Sequence, residues 1–397
     1  MATITALLGH PGPEAVITTP IRCVDMHTTG EPTRIVYAGY PSLQGTLAKQ
    51  RALASSEHDH IRRRLILEPR GHRDMYGAVL RQSTELVDTG EADMGVLFMT
   101  NDGYSNMCGH ATIALGRFLI DTHDPEIFPR RHALMADAKG THIRLHLPCG
   151  IVTVTIQTLP DGRSDPFKPV SFVSVPSFAT AVGVPVPIPI EKRWRVGKTI
   201  KEVTVDIAFG GAFFCMVEAP LLYDSGSKQN LTGNDLNDLD EAAFTIISLI
   251  NEDPELRKLL TSNAPITAEL GKLYAAVVVF KGLGKKSPET KGVETGICYF
   301  DNHQIDRSPT GSAVCARAAL AYAKREISLG DLCTYQSLVS NNHQGEGSFA
   351  AKVVDQTDIG VRIQLEAYAY YTGAHVSFAE SGDILGDDGF LLGSLSG

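Results

Sequence analysis

Residues 107–115 read MCGHATIAL, and residues 309–317 read PTGSAVCAR. Each segment has a small residue with a thiol or a hydroxyl, then a glycine, then a polar residue, and then a run of small and apolar residues. Such a run after a polar turn predicts a helix that begins near the glycine. Because about half of the chain separates the two segments, they predict two related domains that each present one helix N-terminus to a shared cleft.

The N-termini of these two helices are suited to binding an anion. The first N–H groups of a helix have no partner within the helix, and the helix dipole favours negative charge there. Gly109 and Gly311 let the backbone approach a ligand closely. Two facing ends can therefore hold one carboxylate between them, and the same field is expected to lower the pKa of the Cys108 thiol.

The residues alone leave other roles open for this segment. A cysteine near the start of a helix is often a small buried side chain. The spacing Cys108-x-His110 could also belong to a metal site, but no second pair of ligands lies nearby in the sequence. The matched second segment favours a catalytic thiol over both alternatives.

The composition is that of a globular protein with an acidic balance. The chain has 397 residues, of which 43% are hydrophobic and 20% charged, and its net charge is −9. This length suggests about two domains. The acidic balance gives no electrostatic support for binding nucleic acid, and no apolar stretch is long enough to predict a membrane span. Residues 1–20 contain no Lys or Arg, so we expect no signal peptide there and assign them no role.

The cysteines indicate a reducing compartment. Their number is odd, their spacings are wide, and no C-x-x-C occurs, which argues against a disulfide framework and against a zinc knuckle. We therefore expect a cytoplasmic protein in which most of the thiols are small buried side chains. The seven are Cys23, Cys108, Cys149, Cys215, Cys298, Cys315 and Cys333.

Predicted helices and strands mix without the regular alternation of a doubly wound sheet, which favours the α+β class. Helices are predicted over 111–119, 242–250 and 313–324, and strands over 21–37 (with a turn), 65–67, 94–99, 143–147, 151–156, 203–207, 212–217, 275–280, 349–354 and 360–366. Residues 182–190 contain three prolines and are predicted to be a connector.

Several longer motifs in one order then identify a family. They are DMHTTGEPTR at 25–34, PRGHRDMYG at 69–77, MCGH at 107–110, FGG at 209–211, DRSP at 306–309, YTG at 371–373 and GFLL at 389–392. On these residues the chain resembles the proline racemase family over nearly its whole length.

The resemblance implies a fold like that of diaminopimelate epimerase. Two similar α+β domains would each wrap a barrel of strands around a central helix, with the active site in the cleft between them. We expect a first domain of residues 20–180 plus 365–397 that carries Cys108, and a second of residues 181–364 that carries Asp306 and Thr310. The resemblance also implies a homodimer with no metal, no pyridoxal phosphate and no nucleotide, and so no cofactor.

The resemblance also implies roles for individual residues. In the racemases of the family two cysteines face the substrate α-carbon from opposite sides. The first matches Cys108, whereas the second matches Thr310, and this Cys/Thr pair resembles the members that dehydrate trans-3-hydroxy-L-proline. The positions expected to bind substrate are Gly109, His110, Gly311 and Ser312, with Asp306 at the ring nitrogen. Thr29 and Ala313 stand where many members have glycine, which leaves the finer substrate preference open.

The chemistry of these residue types supports the same interpretation. A cysteine can act as base or acid near neutrality, but the pKa of a threonine hydroxyl lies far above that range, so Thr310 is a poor second base. Racemisation needs two such groups, and dehydration needs one base at the α-carbon. The expected activity is therefore the dehydration of trans-3-hydroxy-L-proline to Δ1-pyrroline-2-carboxylate with Cys108 as the base.

Three other functions stay open from the sequence. The first is a proline racemase or a 4-hydroxyproline 2-epimerase. The second is a binding protein that keeps the fold without turnover, and the third is a cysteine hydrolase. Two residue roles are also open: Asp306 can be a cap or an ion-pair partner of Arg307, and His110 can meet the substrate through its ring or only through its backbone.

Overall fold

The computed structural model of the chain describes residues 19–226, 233–261 and 271–392. The segment 1–18, most of the stretch to which no role was assigned, lies outside the described residues, as do the last five residues of the predicted first domain. No helix in the described ranges is long and apolar enough to cross a membrane.

Nineteen strands are formed by the described residues. They are β1 Ile21–Thr28, β2 Glu31–Ala38, β3 Gly77–Arg81, β4 Met94–Met99, β5 Tyr104–Ser105, β6 Met135–Asp137, β7 Gly140–Leu147, β8 Gly150–Ile156, β9 Val170–Val173, β10 Phe178–Pro187, β11 Glu202–Phe209, β12 Phe213–Glu218, β13 Leu273–Lys281, β14 Val293–Phe300, β15 Gln304–Ile305, β16 Leu332–Gln336, β17 Phe349–Thr357, β18 Gly360–Ala367 and β19 Ala369–Ser377.

The helices that the structure describes connect or fill these strands. They are α1 Leu47–Glu57, α2 Asp59–Ile66, α3 Glu85–Asp88, α4 Gly109–Asp121, α5 Gly233–Glu252, α6 Pro254–Thr261, α7 Gly311–Ala323, α8 Leu338–Asn342 and α9 Ile384–Asp388.

The strands pair in two successive runs that have the same topology. The first run is β19-β1-β2-β3-β4-β7-β8-β9, and the second is β10-β11-β12-β13-β14-β16-β17-β18. Both runs have parallel pairs at the same two places, β2–β3 and β4–β7 in the first and β12–β13 and β14–β16 in the second. An antiparallel pair between β9 and β18 joins the two runs.

Each run surrounds one buried helix. Helix α4 packs against β1, β2, β8, β9 and β19, and α7 packs against β10, β11, β12, β17 and β18. Both helices have 13 residues and bury nearly all of their side chains, because small and apolar residues occupy every face. The α+β class predicted from the sequence is confirmed. The boundaries 20–180 plus 365–397 and 181–364 remain a prediction. The first run consists of β1–β4, β7–β9 and β19, and the second of β10–β14 and β16–β18.

Most of the predicted elements have counterparts, and two predictions are wrong. Residues 65–67 were predicted to be a strand, but Leu65 and Ile66 end helix α2. The helical pattern was obscured by three consecutive arginines, of which Arg62 is buried because it donates to the carbonyls of Thr100 (2.8 Å) and Asn101 (2.9 Å).

The second wrong prediction concerns residues 182–190. Most of this segment belongs to strand β10, which pairs with β11 in a register that shifts twice. Strand β10 lies at the end of its run, where prolines are tolerated because one side of the strand needs no ladder hydrogen bonds.

Candidate active site

The N-termini of α4 and α7 meet in the interior, as the matched segments predicted. Cys108 caps α4 and Thr310 caps α7. A Cβ atom built on Gly109 would lie 2.4 Å from the Cα atom of Gly311, so the first turns of the two helices are in backbone contact. Only glycine permits this approach, and it places the unpaired N–H groups of both helices beside one cavity.

The Cys108 thiol is buried in this contact. The side chain is 4% exposed, and its Sγ atom accepts a hydrogen bond from the backbone N–H of Ala111 at 3.4 Å. The same sulfur lies 3.3 Å from Nδ1 and 3.4 Å from Nε2 of His110, so the imidazole ring is turned toward the thiol. The ring of His110 therefore belongs to the site, and its backbone carbonyl accepts from Thr28 at 3.0 Å.

The Asp306 carboxylate lines the same cavity as the thiol and lies in the loop that leads into α7. Its Oδ1 atom accepts the backbone N–H of Ser308 at 2.7 Å, and its Oδ2 atom accepts the Thr310 hydroxyl at 2.8 Å. Oδ2 also lies 4.0 Å from Nδ1 of His110. The ion pair with Arg307 that the sequence left open is not formed, because Arg307 pairs with Asp74 at 2.8 Å.

Thr310 has a strained backbone. Its φ is 64°, in the left-handed region that β-branched residues rarely adopt. Its N–H donates to the Ser308 hydroxyl at 3.1 Å, and its carbonyl accepts the first i to i+4 hydrogen bond of helix α7, from the N–H of Val314 at 2.8 Å. Such conformations persist only where the surroundings hold them, and they cluster at functional sites.

The cavity between the two helix ends is small and has walls from both strand runs. Its volume is about 20 Å³, roughly room for one water molecule, so a cyclic amino acid needs the walls to separate. Aromatic and apolar side chains cover the polar groups. The residues that line it are Tyr76, Met107, Cys108, Gly109, His110, Tyr274, Phe300, Asp306, Thr310 and Ser312.

A second carboxylate holds the loop that carries Asp306. Glu31 is 1% exposed, and its Oε2 atom accepts the backbone N–H of Arg307 at 2.7 Å. Burial raises the pKa of Glu31 well above its usual value, the charge of Asp306 raises it further, and the Arg307 N–H opposes both. The motif at 25–34 thus acts on the site by fixing the loop next to Asp306.

Burial dominates the electrostatics of the thiol. It raises the pKa of Cys108 well above the ordinary thiol value, and the charges of Asp306 and Glu31 act in the same direction. Hydrogen bonds from the Ala111 N–H and the Tyr76 hydroxyl lower that pKa. The expected effect of the helix end is therefore present, but the prediction of a lowered thiol pKa is wrong because loss of hydration outweighs it. Burial also lowers the pKa of His110, which favours a neutral imidazole.

The structure brings together all seven residues singled out in the sequence. The structure also adds residues to which the sequence gave no role. Tyr76 and Glu31 lie in two of the quoted motifs. Cys298 lies on β14, and its backbone carbonyl accepts the Asp306 N–H at 3.1 Å. Tyr274 and Phe300 carried no signal, because they are ordinary strand residues in the sequence. In the described ranges, no group of three or more His, Cys, Asp or Glu residues could hold a metal ion.

Comparison with known proteins places this geometry in context. A family model described as proline racemase matches residues 23–390. The chain is 39% identical over 374 residues to the trans-3-hydroxy-L-proline dehydratase of Homo sapiens, covering 93% of this chain and 94% of that protein. It is 31% identical over 373 residues to the proline racemase of Clostridioides difficile, covering 94% and 98%. A hydroxyproline epimerase from Agrobacterium vitis, solved with bound trans-4-hydroxy-L-proline, shares the fold with a TM-score of 0.73 at 19% identity, covering 96% of this chain and 97% of that one.

Proposed function

The chain belongs to the proline racemase family, and we propose that it is the hydro-lyase that dehydrates trans-3-hydroxy-L-proline to Δ1-pyrroline-2-carboxylate. The observation that carries the proposal is the inequality of the two helix ends: Cys108 offers a thiol, and Thr310 offers a hydroxyl that is already bonded to Asp306. The helix end of α4 thus has a thiol that can act as a base at the α-carbon, whereas the hydroxyl at the helix end of α7 has a pKa far too high for that role. The identity to the human dehydratase supports the same activity.

The helix ends bind the substrate carboxylate in this proposal. The backbone N–H groups of Gly109, His110, Gly311 and Ser312 lie in the first turns of α4 and α7, where helix geometry leaves them without partners in the helix. Removal of the α-proton moves charge onto the carboxylate, and donors fixed in advance stabilise that charge. The contact between Gly109 and Gly311 keeps the two sets of donors close enough to serve one carboxylate.

Asp306 binds the positively charged ring nitrogen. The carboxylate keeps its orientation through the Ser308 N–H and the Thr310 hydroxyl. A cation at this position also offsets the negative charge that raises the pKa of Cys108. Substrate binding therefore favours the thiolate, so the base is generated where the proton must be removed.

Cys108 takes the α-proton, and that proton ends on the departing hydroxyl. In trans-3-hydroxy-L-proline the carboxylate and the hydroxyl lie on opposite faces of the ring, so the α-hydrogen and the hydroxyl share a face. One thiolate on that face is therefore the only base that the elimination needs. The enamine that forms then tautomerises to Δ1-pyrroline-2-carboxylate.

The proposal needs no metal, pyridoxal phosphate or nucleotide, because the thiol, the two helix ends and Asp306 supply a base, an anion site and a cation site.

We also propose a cytoplasmic homodimer. Seven free cysteines support the compartment. The dimer is supported by the family and by strand β19, which pairs with β1 and exposes Tyr370 and Tyr371.

The test is to incubate the purified protein, without added cofactor, with trans-3-hydroxy-L-proline and to quantify Δ1-pyrroline-2-carboxylate. L-Proline and trans-4-hydroxy-L-proline are followed in parallel by chiral chromatography. Product from the 3-hydroxy substrate alone supports the dehydratase. Inversion of either other substrate would replace it with the racemase or epimerase alternative, since that requires proton transfer on both faces.

A further inference from the structure

The Tyr76 hydroxyl is a polar group of the cavity to which the proposed reaction gives no role. The side chain is 2% exposed and lies in the PRGHRDMYG motif. Its ring packs edge-on against the ring of His110, with 4.8 Å between centroids. It lines the cavity together with Cys108, and it directly precedes strand β3 of the first run.

The hydroxyl of Tyr76 is hydrogen-bonded to a second hydroxyl, that of Ser105. Ser105 does not line the small cavity but lines a neighbouring one of about 370 Å³. The two cavities share Met107 and Tyr274 as wall residues. The hydroxyl pair Tyr76–Ser105 therefore joins the small cavity to a larger one, to whose walls both halves of the chain contribute.

The proposed reaction needs a proton donor on this side. Hydroxide is a poor leaving group, and its departure from C3 is assisted when a positioned acid gives it a proton. The hydroxyl leaves from the face of the ring that Cys108 occupies. The Thr310 hydroxyl, at the N-terminus of α7, already donates its proton to Asp306.

We propose that Tyr76 is a further catalytic residue, the donor that protonates the departing C3 hydroxyl, with Ser105 orienting its O–H group. This inference rests on the proposed dehydratase function. The Cys108 thiolate takes the α-proton, the Cα–H electrons become the π bond of the new Cα=C3 double bond, and the C3–O bond breaks. The Tyr76 proton passes to the leaving oxygen to give water, and the resulting phenolate recovers a proton from the Cys108 thiol, which restores both groups.

The charges around Tyr76 are consistent with this cycle. Burial raises the pKa of Tyr76 well above its ordinary value, the neighbouring Cys108 charge raises it further, and the Ser105 hydroxyl lowers it. The phenol therefore keeps its proton until a stronger base, the departing hydroxide, forms beside it. Burial raises the pKa of Cys108 as well, while the Tyr76 hydroxyl lowers it, so a proton can pass between the two groups.

The experiment compares two leaving groups in the same site. Wild type, Tyr76→Phe and Ser105→Ala are assayed with trans-3-hydroxy-L-proline and with trans-3-chloro-L-proline, which yield the same product. Chloride leaves without a proton, so only the first substrate needs the donor. We expect Tyr76→Phe to lower kcat for the hydroxy substrate by roughly 10²–10⁴-fold, the usual contribution of a general acid. Elimination of chloride should fall far less, because it loses only the hydrogen bond by which Tyr76 lowers the pKa of Cys108.

Tyr104→Phe is the matched control. Tyr104 is also buried, and its hydroxyl bonds to that of Tyr40 at 3.2 Å, but it does not line the small cavity. This variant should treat both substrates as wild type does. Ser105→Ala should show a smaller loss with the same selectivity, and it decides the question if Tyr76→Phe does not fold.

Equal losses for both substrates in Tyr76→Phe, or an unchanged kcat for the hydroxy substrate, would overturn the role of Tyr76 while leaving the dehydratase intact. Failure of the proposed function looks different. In that case the wild type itself forms no Δ1-pyrroline-2-carboxylate from the hydroxy substrate, and the inference about Tyr76 is overturned with it.

Discussion

The hydroxyl of Thr310 donates to Oδ2 of Asp306 at 2.8 Å, so the residue that was predicted to match the second cysteine of the racemases holds the carboxylate beside it. This hydrogen bond uses the proton of the Thr310 hydroxyl. It also fixes the carboxylate that is proposed to bind the ring nitrogen. In the proposed function, a threonine at position 310 limits proton transfer to the face that Cys108 occupies, because the pKa of its hydroxyl is too high for a base. The same residue also orients Asp306.

Thr310→Val keeps the shape of the side chain and removes the donor. A hydrogen bond to a charged group contributes about 1.5–3 kcal/mol, so we expect kcat/KM for trans-3-hydroxy-L-proline to fall roughly 10- to 100-fold. Thr310→Ser keeps the hydroxyl and should retain most of the activity. Steady-state kinetics of the two variants check this, and a Val variant as active as the Ser variant would contradict it.

Gly109→Ala should damage both the fold and the site. In an ordinary helix alanine is favoured over glycine by about 1 kcal/mol, but here its methyl group would lie 2.4 Å from the Cα atom of Gly311. We expect a net destabilisation of roughly 1–3 kcal/mol and loss of activity as the helix ends separate. Gly292→Ala is the control, since nothing lies within 4 Å of its added Cβ atom. Urea unfolding measures both, and equal stability of the two variants would argue against the close contact.

The pH dependence of turnover should report the Cys108 thiol. The base must be deprotonated and burial raises its pKa, so activity is lost as the pH falls and kcat/KM should keep rising past about pH 8.5, the ordinary thiol value. The profile of kcat should rise at lower pH, because the bound ring cation offsets Asp306 and Glu31. Coincident profiles that level off below pH 7 would contradict this account.

Asp301 makes the stability of the protein depend on pH. Burial raises the pKa of its carboxyl from 3.8 to about 6, and the hydroxyls of Thr100 and Tyr274 oppose the shift. Between these two values the folded state holds more protons than the unfolded chain, so the free energy of unfolding falls as the pH rises through 6.

Asp301→Asn removes the cost of burying the ionised carboxylate, so the variant should be more stable than wild type at pH 8 by roughly 3 kcal/mol, with a smaller difference at pH 4.5. Urea midpoints at the two pH values measure it. Asp358→Asn, at an exposed carboxylate, is the control. A constant difference between Asp301→Asn and wild type at both pH values would contradict the assignment.

The sequence predicts the elements that position the site because local patterns specify them. The small-residue helices after Cys108 and Thr310, the hairpin of β7 and β8, and the class of the fold all follow from composition and periodicity. Their meeting point follows from the match between the two segments. Helix α2 and strand β10 were missed because tertiary partners override local preference: carbonyl groups bury Arg62, and an edge position tolerates the prolines of β10.

The environment of the thiol could not be predicted from the sequence. The helix end that lowers the pKa of Cys108 is local, whereas the burial that raises it is produced by side chains from distant strands, such as Tyr76, Tyr274 and Phe300. The same holds for Glu31, which meets the backbone of Arg307 only in the folded chain. The motifs at 25–34 and 69–77 could be recognised in the sequence, but the contacts that Glu31 and Tyr76 make follow only from the folded structure.

The most direct test of the account is Cys108→Ser, measured as formation of Δ1-pyrroline-2-carboxylate from trans-3-hydroxy-L-proline. Cys333→Ser, which lies outside the site, is the matched control, and circular dichroism verifies that both variants fold. We predict that the Cys108 variant loses turnover by at least roughly 10³-fold because a serine hydroxyl cannot act as the base near neutral pH, while the control retains it. A folded Cys108→Ser enzyme with near wild-type turnover would contradict the central claim that this thiol removes the α-proton.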